Sequence, residues 1–369
     1  MRIGVPREIK DNEYRVGLTP ASVAELVANG HRVLVEQGAG VGSGLPDDAY
    51  GKAGAQLCHG PGEIFETCDL IIKVKEPQPL ETRLLRRGQT LFTYLHLAPD
   101  PALTRALMES GATCIAYETV TSPTGGLPLL TPMSEVAGRL AAQVGAHYLE
   151  REAGGRGVLL GGVPGVSPAD VLVLGGGVAG ANAARVAMGM GASVTVADRN
   201  LETLRRLGAL MPGLRTVFST RAALQALAPR TDLLIGTVLV PGAATPKLVT
   251  REMVASMKQG SVIVDISADQ GGCCETTRPT SHSDPTYVVD GVTHYCVTNM
   301  PGAVPRTATF ALNNATLPFV LALADKGWRK AMQDDPHLRA GLNVLEGKIA
   351  CAPVAQAQEL PFVNADSVL

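Results

Sequence analysis

The chain has few aromatic residues and almost no net charge. Phenylalanine, tryptophan and tyrosine together make up 4% of its 369 residues, and the formal net charge at pH 7 is −2. Proteins that bind nucleic acids or anionic lipids usually present a strong positive charge, so neither partner is expected. The 41 glycines and the abundant alanine are instead typical of closely packed layers of helices and strands.

The cysteines show no pattern of a metal site or a disulfide framework. There are seven of them, an odd number, and no pair spacing is repeated along the chain. Structural zinc sites and disulfide-rich domains ordinarily show such spacings. We therefore expect no bound metal, and we interpret the adjacent Cys273 and Cys274 as reduced thiols in a loop.

No stretch of the sequence is typical of a membrane helix or a signal peptide. The longest late uncharged run, residues 307–324, contains Asn313, Asn314 and Pro318, which do not suit a helix surrounded by lipid. The first ten residues lack the long apolar core of a signal peptide and predict a short strand. A soluble cytoplasmic protein is expected.

The hydrophobic pattern predicts more than one domain of alternating strands and helices. A length of 369 residues exceeds what a single hydrophobic core usually organises. Short apolar runs predict strands at 2–5, 33–35, 70–75, 91–97, 113–117, 171–174, 193–197, 233–235, 262–266 and 295–297. Strands that are separated by helical segments are typical of mainly parallel sheets.

Three helices have recognisable sequence signals. Thr19 stands before a proline as a capping residue, and Gly30 is a typical helix end. Thr131 opens a helix whose apolar residues recur every four positions. After Pro305 the chain returns to helix, with residues 308–323 as the main candidate. The simplest organisation is a discontinuous domain around a middle domain, with boundaries at 1–130 plus 305–369 and at 131–304.

A glycine-rich turn follows the strand predicted at 171–174. Gly175, Gly177 and Gly180 satisfy the pattern G-x-G-x-x-G. Gly175 permits a tight turn, Gly177 lets backbone N–H groups approach a pyrophosphate, and Gly180 lets the next helix pack on the strand. The positive end of that helix favours phosphate anions. Strand, glycines and helix in this order predict a dinucleotide-binding site.

The acidic residue after the next strand predicts which dinucleotide is bound. Asp198 ends the strand that follows the glycine-rich turn and its helix. A carboxylate there accepts hydrogen bonds from ribose hydroxyls and repels a 2′-phosphate, which favours NAD over NADP. The neighbouring Arg199 keeps NADP open as the alternative, because a guanidinium could hold the 2′-phosphate.

The ends of other predicted strands supply candidate reacting groups. In open parallel sheets, ligands collect beyond the carboxyl ends of the strands. Lys75, His96 and Asp269 lie at or just beyond such ends, and Arg15 is a further charged candidate. Each also has a purely structural explanation. They are an edge lysine, a hydrogen-bonded core histidine, a turn-capping aspartate and a surface arginine.

Alternation along the strands predicts which side chains share a face. Phe92, Tyr94 and His96 are two residues apart within one predicted strand, and Lys73 and Lys75 are two apart within another. Successive side chains of a strand point to opposite faces, so residues two apart point the same way. On this pattern His96 is expected on the same side of the sheet as the two aromatic rings.

Beyond these patterns, the chain closely resembles the bacterial alanine dehydrogenases, nearly from end to end. The resemblance is carried by IGVPREIKDNEYRVGLTP (from Ile3), GAGVGSG (from Gly38), KVKEP (from Lys73), TYLHLA (from Thr93), AYETV (from Ala116), LLTPMSEVAGRLAAQ (from Leu129), GGRGVLLGGVPGV (from Gly154), VDISADQGG (from Val264) and NMPGAVPRT (from Asn299). Strings of this length are far more specific than the glycine motif. Proton-translocating transhydrogenase subunits share parts of the pattern, but they ordinarily lack the full set of substrate-site residues.

The resemblance implies a role for each candidate residue. Arg15 would hold the substrate carboxylate through paired hydrogen bonds. Lys75 would contact the carboxylate and the substrate oxygen. His96 would be the general acid and base, since histidine ordinarily titrates near neutral pH. Asp269 would orient substrate and water and contact the nicotinamide ribose. Two further residues would line the pocket, Tyr94 and Met133.

The resemblance also implies NAD as the cofactor. The implied cofactor-binding residues are Ser134, Gly175, Gly177, Val178, Gly180, Asp198, Ser219, Val238, Asp269, Val297, Asn299 and Met300. The family often has lysine where Ala244 stands and a basic residue near Thr203. The expected consequence of losing these charges is a change in affinity for the adenosine side of the cofactor, and not in the chemistry.

The fold implied is α/β, with two Rossmann-like, doubly wound parallel-sheet domains joined by long helices and a cleft between them. The activity implied is the reversible oxidative deamination of L-alanine to pyruvate and ammonium by NAD⁺, in a homohexamer. One alternative is a transhydrogenase-like NAD-binding subunit, which the joint presence of Arg15, Lys75 and His96 disfavours. The other is a nucleotide-binding protein without turnover, which the intact candidates for every catalytic role disfavour.

Overall fold

Residues 1–238 and 245–367 are described by the structure, a computed structural model. They form two compact units. The first consists of Met1–Met133 together with Val304–Leu369, and the second of Ser134–Ala303. Each unit contains one mainly parallel sheet with helices, which confirms the predicted α/β class.

The elements follow one another as alternating strands and helices. The strands are β1 (Arg2–Val5), β2 (Arg32–Glu36), β3 (Gln56–Cys58), β4 (Leu70–Ile72), β5 (Thr90–Thr93), β6 (Thr113–Ala116), β7 (Asp170–Leu174), β8 (Ser193–Asp198), β9 (Arg215–Phe218), β10 (Leu233–Gly236), β11 (Val262–Asp265), β12 (Thr286–Val289), β13 (Val292–Tyr295), β14 (Leu342–Leu345) and β15 (Lys348–Ile349). The helices are α1 (Pro20–Ala28), α2 (Asp47–Lys52), α3 (Pro61–Thr67), α4 (Pro79–Thr82), α5 (Pro101–Ser110), α6 (Thr131–Tyr148), α7 (Val178–Gly189), α8 (Leu201–Leu210), α9 (Arg221–Leu227), α10 (Arg251–Ser256), α11 (Pro305–Asp334), α12 (Pro336–Arg339) and α13 (Ala352–Gln358).

The sheet of the first unit has the order β15-β14-β6-β5-β4-β1-β2-β3. Neighbours from β6 to β3 are parallel, and the chain returns from the second unit to add β14 and β15 antiparallel at one edge. Apart from the exposed Arg2, the residues of the central strands β1 and β4 are apolar and buried, as expected for strands covered on both faces. The carboxyl ends of β4 and β5 therefore lie side by side.

The sheet of the second unit has the order β12-β13-β11-β10-β7-β8-β9. Its strands are parallel except for β12, which forms an antiparallel edge. The order reverses between β7 and β10, which is the position where ligands usually bind to open α/β sheets. The glycine-rich turn follows β7 at that position.

Local sequence signals explain where the helices begin. The hydroxyl of Thr19 accepts a hydrogen bond from the N–H of Ser22 (3.2 Å), and a proline occupies the first turn of α1. Gly30 follows the helix with φ 80°, a conformation that favours glycine. The predicted helix starts at Thr19 and Thr131 are both confirmed.

Three predicted strands are wrong in their extent. The strand predicted at 91–97 ends at Thr93, so alternation cannot place His96 beside Phe92. The strand predicted at 70–75 ends at Ile72, where the Glu8 carboxylate takes the N–H groups of the next loop. The strand predicted at 295–297 covers Val292–Tyr295 instead.

Five short strands escaped prediction from the sequence. They are β3, β9, β12, β14 and β15. Strands β9 and β12 are edge strands whose residues are mostly exposed or half-buried, so they lack an apolar run. Strands β14 and β15 come after helices α11 and α12, in a part of the chain for which the sequence predicted helix and no strand. Edge strands receive their pairing from distant parts of the chain, which a local pattern does not record.

A fully buried ion cluster lies beneath the end of β4. The Lys73 ammonium donates to Glu8 (3.0 Å) and to Glu81 (2.7 Å), and all three side chains are essentially inaccessible to solvent. The second oxygen of Glu8 accepts the N–H of Val74 (2.6 Å) and of Lys75 (3.3 Å). Burial raises the pKa of Glu8, although the charge of Lys73 opposes this. The cluster ties the segment after β4 to the segment after β1.

Helix α11 is long and apolar enough to cross a membrane, by length and composition only, and it also makes polar contacts within the first unit. In its most apolar window 44% of the residues are buried within the protein. Its Asn313 amide donates to Gly17 (3.1 Å) and accepts from the N–H of Thr19 (2.8 Å). Polar groups of this kind bind the helix to the loop before α1. Buried helices of soluble proteins share this composition.

Candidate active site

The glycine turn after β7 excludes side chains at one position and leaves open space at another. Gly175 has φ 94° and its N–H donates to the carbonyl of Ala197 (2.8 Å). A Cβ on Gly180 would lie 1.9 Å from the carbonyl oxygen of Gly175, so any side chain there would clash with the backbone. A Cβ on Gly177 would meet nothing within 4 Å. The turn therefore has room for a ligand at Gly177.

Helix α7 begins at this turn with an uncapped amino end. Gly177 is its N-cap residue, and in the described part of the chain no side chain caps it. Val178, the first helical residue, is exposed. Unpaired N–H groups and the positive end of the helix dipole favour an anion. These features fit the pyrophosphate of a dinucleotide.

Asp198 is held against the glycine turn at the end of β8. One of its oxygens accepts the N–H of Gly176 (2.6 Å) and the other accepts the N–H of Asn200 (2.7 Å). An open groove beside it is lined mostly by charged and polar residues, with the exposed apolar side chains of Leu201 and Phe218 among them. A fixed carboxylate at this position fits a ribose hydroxyl of NAD, and the two apolar side chains fit its adenine.

The other residues expected on the adenosine side occupy different environments. Ser219 is buried, and its N–H donates to the carbonyl of Asp198 (3.0 Å). Val238 is half-buried against a hydrophobic core. Thr203 lies against the glycine turn, since a Cβ on Gly176 would meet its methyl group. Ala244 lies outside the described residues.

His96 has a left-handed backbone that is fixed by a carboxylate. Its φ is 50°, its N–H donates to Glu118 (2.6 Å), and the N–H of Leu95 donates to the same carboxylate (3.1 Å). A non-glycine residue in this conformation costs about 1–2 kcal/mol. The imidazole is 43% exposed and its ring centroid is 5.7 Å from that of Tyr94. The core-histidine explanation is therefore wrong, and strain at an accessible imidazole is typical of a functional site.

Glu76 lies between His96 and two lysines. Its Oε2 is 3.8 Å from the Nδ1 of His96, an ion-pair distance, and its Oε1 accepts a hydrogen bond from the Lys10 ammonium. Burial opposes ionisation of this carboxyl. The interaction with His96 and the charges of Lys75 and Lys10 outweigh burial and hold the pKa of Glu76 well below its usual range. A permanent negative charge therefore stands beside the imidazole.

Lys75 is half-buried beside the same group of charges. Burial is the main cause that lowers its pKa. The negative charge of Glu76 opposes this shift, while the positive charges of Arg15 and Lys10 reinforce it. The edge-lysine explanation does not describe this residue. Its ammonium is a donor in a partly desolvated, electropositive place, where it can bind an anionic ligand.

Arg15 is buried, which excludes the surface-arginine explanation. Its Nε donates to Glu13 (2.7 Å), its Nη2 donates to the same carboxylate (2.5 Å), and its Nη1 contacts the sulfur of Met133 (3.1 Å). The hydroxyl of Tyr94 donates to the carbonyl of Leu129 (2.5 Å). Burial raises the pKa of Tyr94, so its hydroxyl stays protonated. The contacts of Arg15 with Glu13 and Met133 hold its guanidinium in one orientation.

The first unit brings the predicted substrate residues into one neighbourhood. Arg15 contacts Met133, and its charge acts on both Lys75 and Tyr94. The Tyr94 ring lies beside the imidazole of His96. The residues expected for substrate binding and proton transfer, Asp269 excepted, are therefore close together.

The remaining predicted residues belong to the second unit. Ser134 is half-buried on α6, and Asp269 lies in the short 3₁₀ turn Ala268–Gln270 after β11. Val297 and Met300 are buried, and the carbonyl of Asn299 accepts a hydrogen bond from His282 (2.8 Å). Their roles toward a nucleotide stay predictions.

Sequence reasoning missed the charged residues that hold the candidate groups. They are Glu8, Lys10, Glu13, Glu76 and Glu118. Each one stands inside a string that carries the family resemblance. Glu13, Glu76 and Glu118 are at most 22 residues from the group that each one holds. Glu8 and Lys10 are 67 and 66 residues from theirs, which are Lys75 and Glu76. For Glu13, Glu76 and Glu118, the available signal was an acidic residue within such a string and near a candidate group in the sequence.

Asp265, Cys273 and Cys274 form a buried cluster whose ligand-type atoms lie within 4.8 Å of one another. Both oxygens of Asp265 already accept hydrogen bonds, including those from Ser267 (2.7 Å) and Thr277 (2.6 Å). The interaction with Cys274 and burial both raise the pKa of Cys273, and the two thiols are free. The cluster fits a turn stabilised by hydrogen bonds better than a cation site.

Comparisons with known proteins cover nearly the whole chain. Residues 4–137 match the family described as alanine dehydrogenase/PNT, N-terminal domain, and residues 141–352 match the corresponding C-terminal domain. The chain is 59% identical to an alanine dehydrogenase of Halomonas elongata and 55% identical to one of Mycobacterium tuberculosis, with 100% of both chains covered in each case.

Solved structures agree with these sequence matches. A structure titled L-alanine dehydrogenase is similar with a TM-score of 0.94 and 52% identity, over 97% of this chain and 99% of the other. A transhydrogenase from Sinorhizobium meliloti is similar with a TM-score of 0.82 and 27% identity, over 95% and 99% of the two chains. Both likenesses extend over the two units and not over the nucleotide turn alone.

Proposed function

The chain belongs to the alanine dehydrogenase/PNT family, and we propose that side chains of its first unit carry out the reaction of the alanine dehydrogenases. That reaction is the reversible oxidative deamination of L-alanine to pyruvate and ammonium with NAD⁺. The observation that carries the proposal is the grouping of Arg15, Lys75 and His96 around one pair of aromatic and thioether side chains.

Arg15 and Lys75 are proposed to hold the substrate carboxylate. Glu13 fixes the guanidinium plane, and a fixed, planar fork suits paired hydrogen bonds to a carboxylate. The nearby Lys75 ammonium supplies a second positive charge. Holding the carboxylate at two points orients the Cα–H bond of alanine, which is a large part of what positioning contributes to catalysis.

His96 is proposed as the general acid and base. Deamination needs the neutral amine, attack of water on the iminium, and collapse of the carbinolamine, and each step moves a proton. The exposed imidazole of His96 can accept and return these protons. The Lys75 ammonium would stabilise the oxygen that becomes the carbonyl of pyruvate. When bound, NAD⁺ supplies the hydride acceptor.

The second unit is proposed to hold NAD, and the first unit to hold the substrate. Asp269 is proposed to orient substrate and water, with Tyr94 and Met133 lining the pocket. The open turn at Gly177 and the carboxylate of Asp198 support this assignment. The proposed contacts to NAD are those of Ser134, Gly175, Gly177, Val178, Gly180, Asp198, Ser219, Val238, Asp269, Val297, Asn299 and Met300.

Asp198→Ala is expected to relax the discrimination against NADP by about tenfold or more, measured as the ratio of kcat/KM with NADH and NADPH. The carboxylate repels a 2′-phosphate, and its removal leaves Arg199 and Arg205 as cations in the same groove. Asp284→Ala, at an exposed position of the same unit, is the matched control. An unchanged ratio would place cofactor selectivity elsewhere.

The activity is tested by following NADH oxidation with pyruvate plus ammonium, beside parallel reactions with glyoxylate and 2-oxobutyrate. We expect oxidation that requires both the keto acid and ammonium, with pyruvate preferred. Oxidation of NADH by a second nucleotide without a keto acid would instead support a transhydrogenase-like subunit. Binding of NADH with no turnover on any keto acid would support a nucleotide-binding protein.

We propose a homohexameric assembly. The segment between α6 and β7 exposes Leu159, Val163 and Val166, and α11 exposes Phe310. Several uncovered apolar side chains on an otherwise soluble fold are typical of a protein interface. Sedimentation equilibrium measures the assembly directly, and a monomer at micromolar concentration would contradict the proposal.

We propose the cytoplasm as the compartment in which the protein works. All seven cysteines are buried free thiols, and the adjacent sulfurs of Cys273 and Cys274 lie 3.9 Å apart without a bond. Proteins of oxidising compartments more often use their cysteines as disulfides. Fractionation of cells with an antibody to the chain tests this location, and recovery outside the cytoplasm would contradict it.

A further inference from the structure

Glu76 has one oxygen that is fixed and one that faces the imidazole of His96. Its Oε1 is bound by the ammonium of Lys10, whereas its Oε2 is buried and has no hydrogen-bond partner in the described part of the chain. The Nδ1 of His96 lies 3.8 Å from that Oε2. A buried carboxylate oxygen without a donor is costly, so a donor within reach of a small side-chain rotation is a strong candidate partner.

The backbone of His96 is fixed independently of its side chain. Glu118 takes the N–H groups of Leu95 and His96, and this keeps His96 in its left-handed conformation. What remains variable is the rotation of the imidazole and the nitrogen that carries the proton. Glu76 lies where a hydrogen bond to the imidazole would fix both the rotation of the ring and the position of its proton.

We propose that Glu76 is the positioning residue of His96, and that Lys10 holds Glu76 in place. The carboxylate accepts a hydrogen bond from Nδ1–H of the imidazole, which leaves Nε2 as the nitrogen that accepts the proton of the amine or of water. The same carboxylate stabilises the imidazolium while His96 carries that proton. This inference rests on the proposed function, since it assigns Glu76 to the proton transfers of that reaction.

Several other groups face His96, and they predict the direction of each pKa change. Glu118 is bound to the backbone N–H of His96, and the Tyr94 ring lies beside its imidazole. The cations Lys10 and Lys75 both interact with Glu76, the carboxylate that faces His96. An anion near an imidazole favours its charged form, and a cation disfavours it. Removing Glu76 and removing Lys10 should therefore move the pKa of His96 in opposite directions.

The test compares Glu76→Gln and Lys10→Met with the wild-type enzyme. The pKa of His96 is measured by NMR titration, with His96→Ala identifying the resonance, and the pH profile of kcat/KM is measured alongside. We expect Glu76→Gln to lower the pKa, because an anion beside the imidazole is removed, and to lower kcat by at least about tenfold. We expect Lys10→Met to raise the pKa. NADH affinity should stay at the wild-type value in both variants.

Glu66→Gln, on the exposed face of α3, is the matched control and should change neither quantity. A wild-type pKa of His96 and a wild-type pH profile in Glu76→Gln would overturn the inference. If Glu76→Gln does not fold, Lys10→Met decides alone, since an unchanged or lowered pKa there also overturns it. The NMR titration does not need turnover, so an inactive wild-type enzyme would contradict the proposed function and leave this test intact.

Discussion

His96→Ala is expected to lower the kcat for NADH oxidation with pyruvate and ammonium by about 10²–10⁴-fold. The substitution removes the accessible imidazole that we propose accepts and returns the protons of the reaction. The affinity for NADH, measured by fluorescence titration, should stay at the wild-type value. His59→Ala, which removes an exposed histidine of the same unit, is the matched control and should keep full activity.

Small imidazoles provide a second measurement on the same variant. If the lost group acts only by proton transfer, added imidazole should restore part of the rate in His96→Ala and should not affect the wild-type rate. A variant with wild-type turnover would remove His96 from the mechanism. A variant that loses both turnover and NADH binding would indicate that the residue supports the structure.

Lys73→Met is expected to lower the free energy of unfolding by about 3–5 kcal/mol. Lys73 is the cation between Glu8 and Glu81, and all three side chains are buried. Methionine of similar length fills the space but leaves two buried carboxyl groups without a positive partner. Urea unfolding followed by circular dichroism measures the change, and Lys326→Met at an exposed position is the control.

The loss should depend on pH in a definite direction. The pKa of Glu8 is already raised in the folded protein, mainly by burial, and removal of Lys73 raises it further. A carboxyl group with a raised folded pKa favours folding fully below its unfolded pKa, and this contribution is lost as the pH rises through the folded value. Lys73→Met should therefore be least destabilised near pH 4–5 and most destabilised above neutral pH. A loss independent of pH would show that packing, and not charge, is the cause.

The features that could be predicted from the sequence are those that depend on residues close together in the chain. The cap at Thr19, the buried strand before Gly175 and the glycine turn itself each follow from a few consecutive side chains. Backbone sterics and local hydrogen bonds determine such features, and both are readable from a short string.

The surroundings of the candidate catalytic groups could not be predicted in the same way. Lys73 meets Glu8, which is 65 residues away, so no local pattern shows that the lysine is buried with a partner. Arg15 has the residue type of a surface charge, and nothing beside it in the sequence shows that Glu13 compensates its charge inside the fold. His96 was expected at the end of a strand, whereas Glu118 fixes its backbone outside the strand.

The left-handed backbone at His96 costs stability at a residue to which we assign the proton transfers. Glycine adopts φ 50° without the penalty that a histidine bears, so glycine at this position would relieve the strain but would have no imidazole. The proton transfer that we propose for His96 accounts for a histidine in this strained conformation, so stabilising substitutions should leave position 96 untouched.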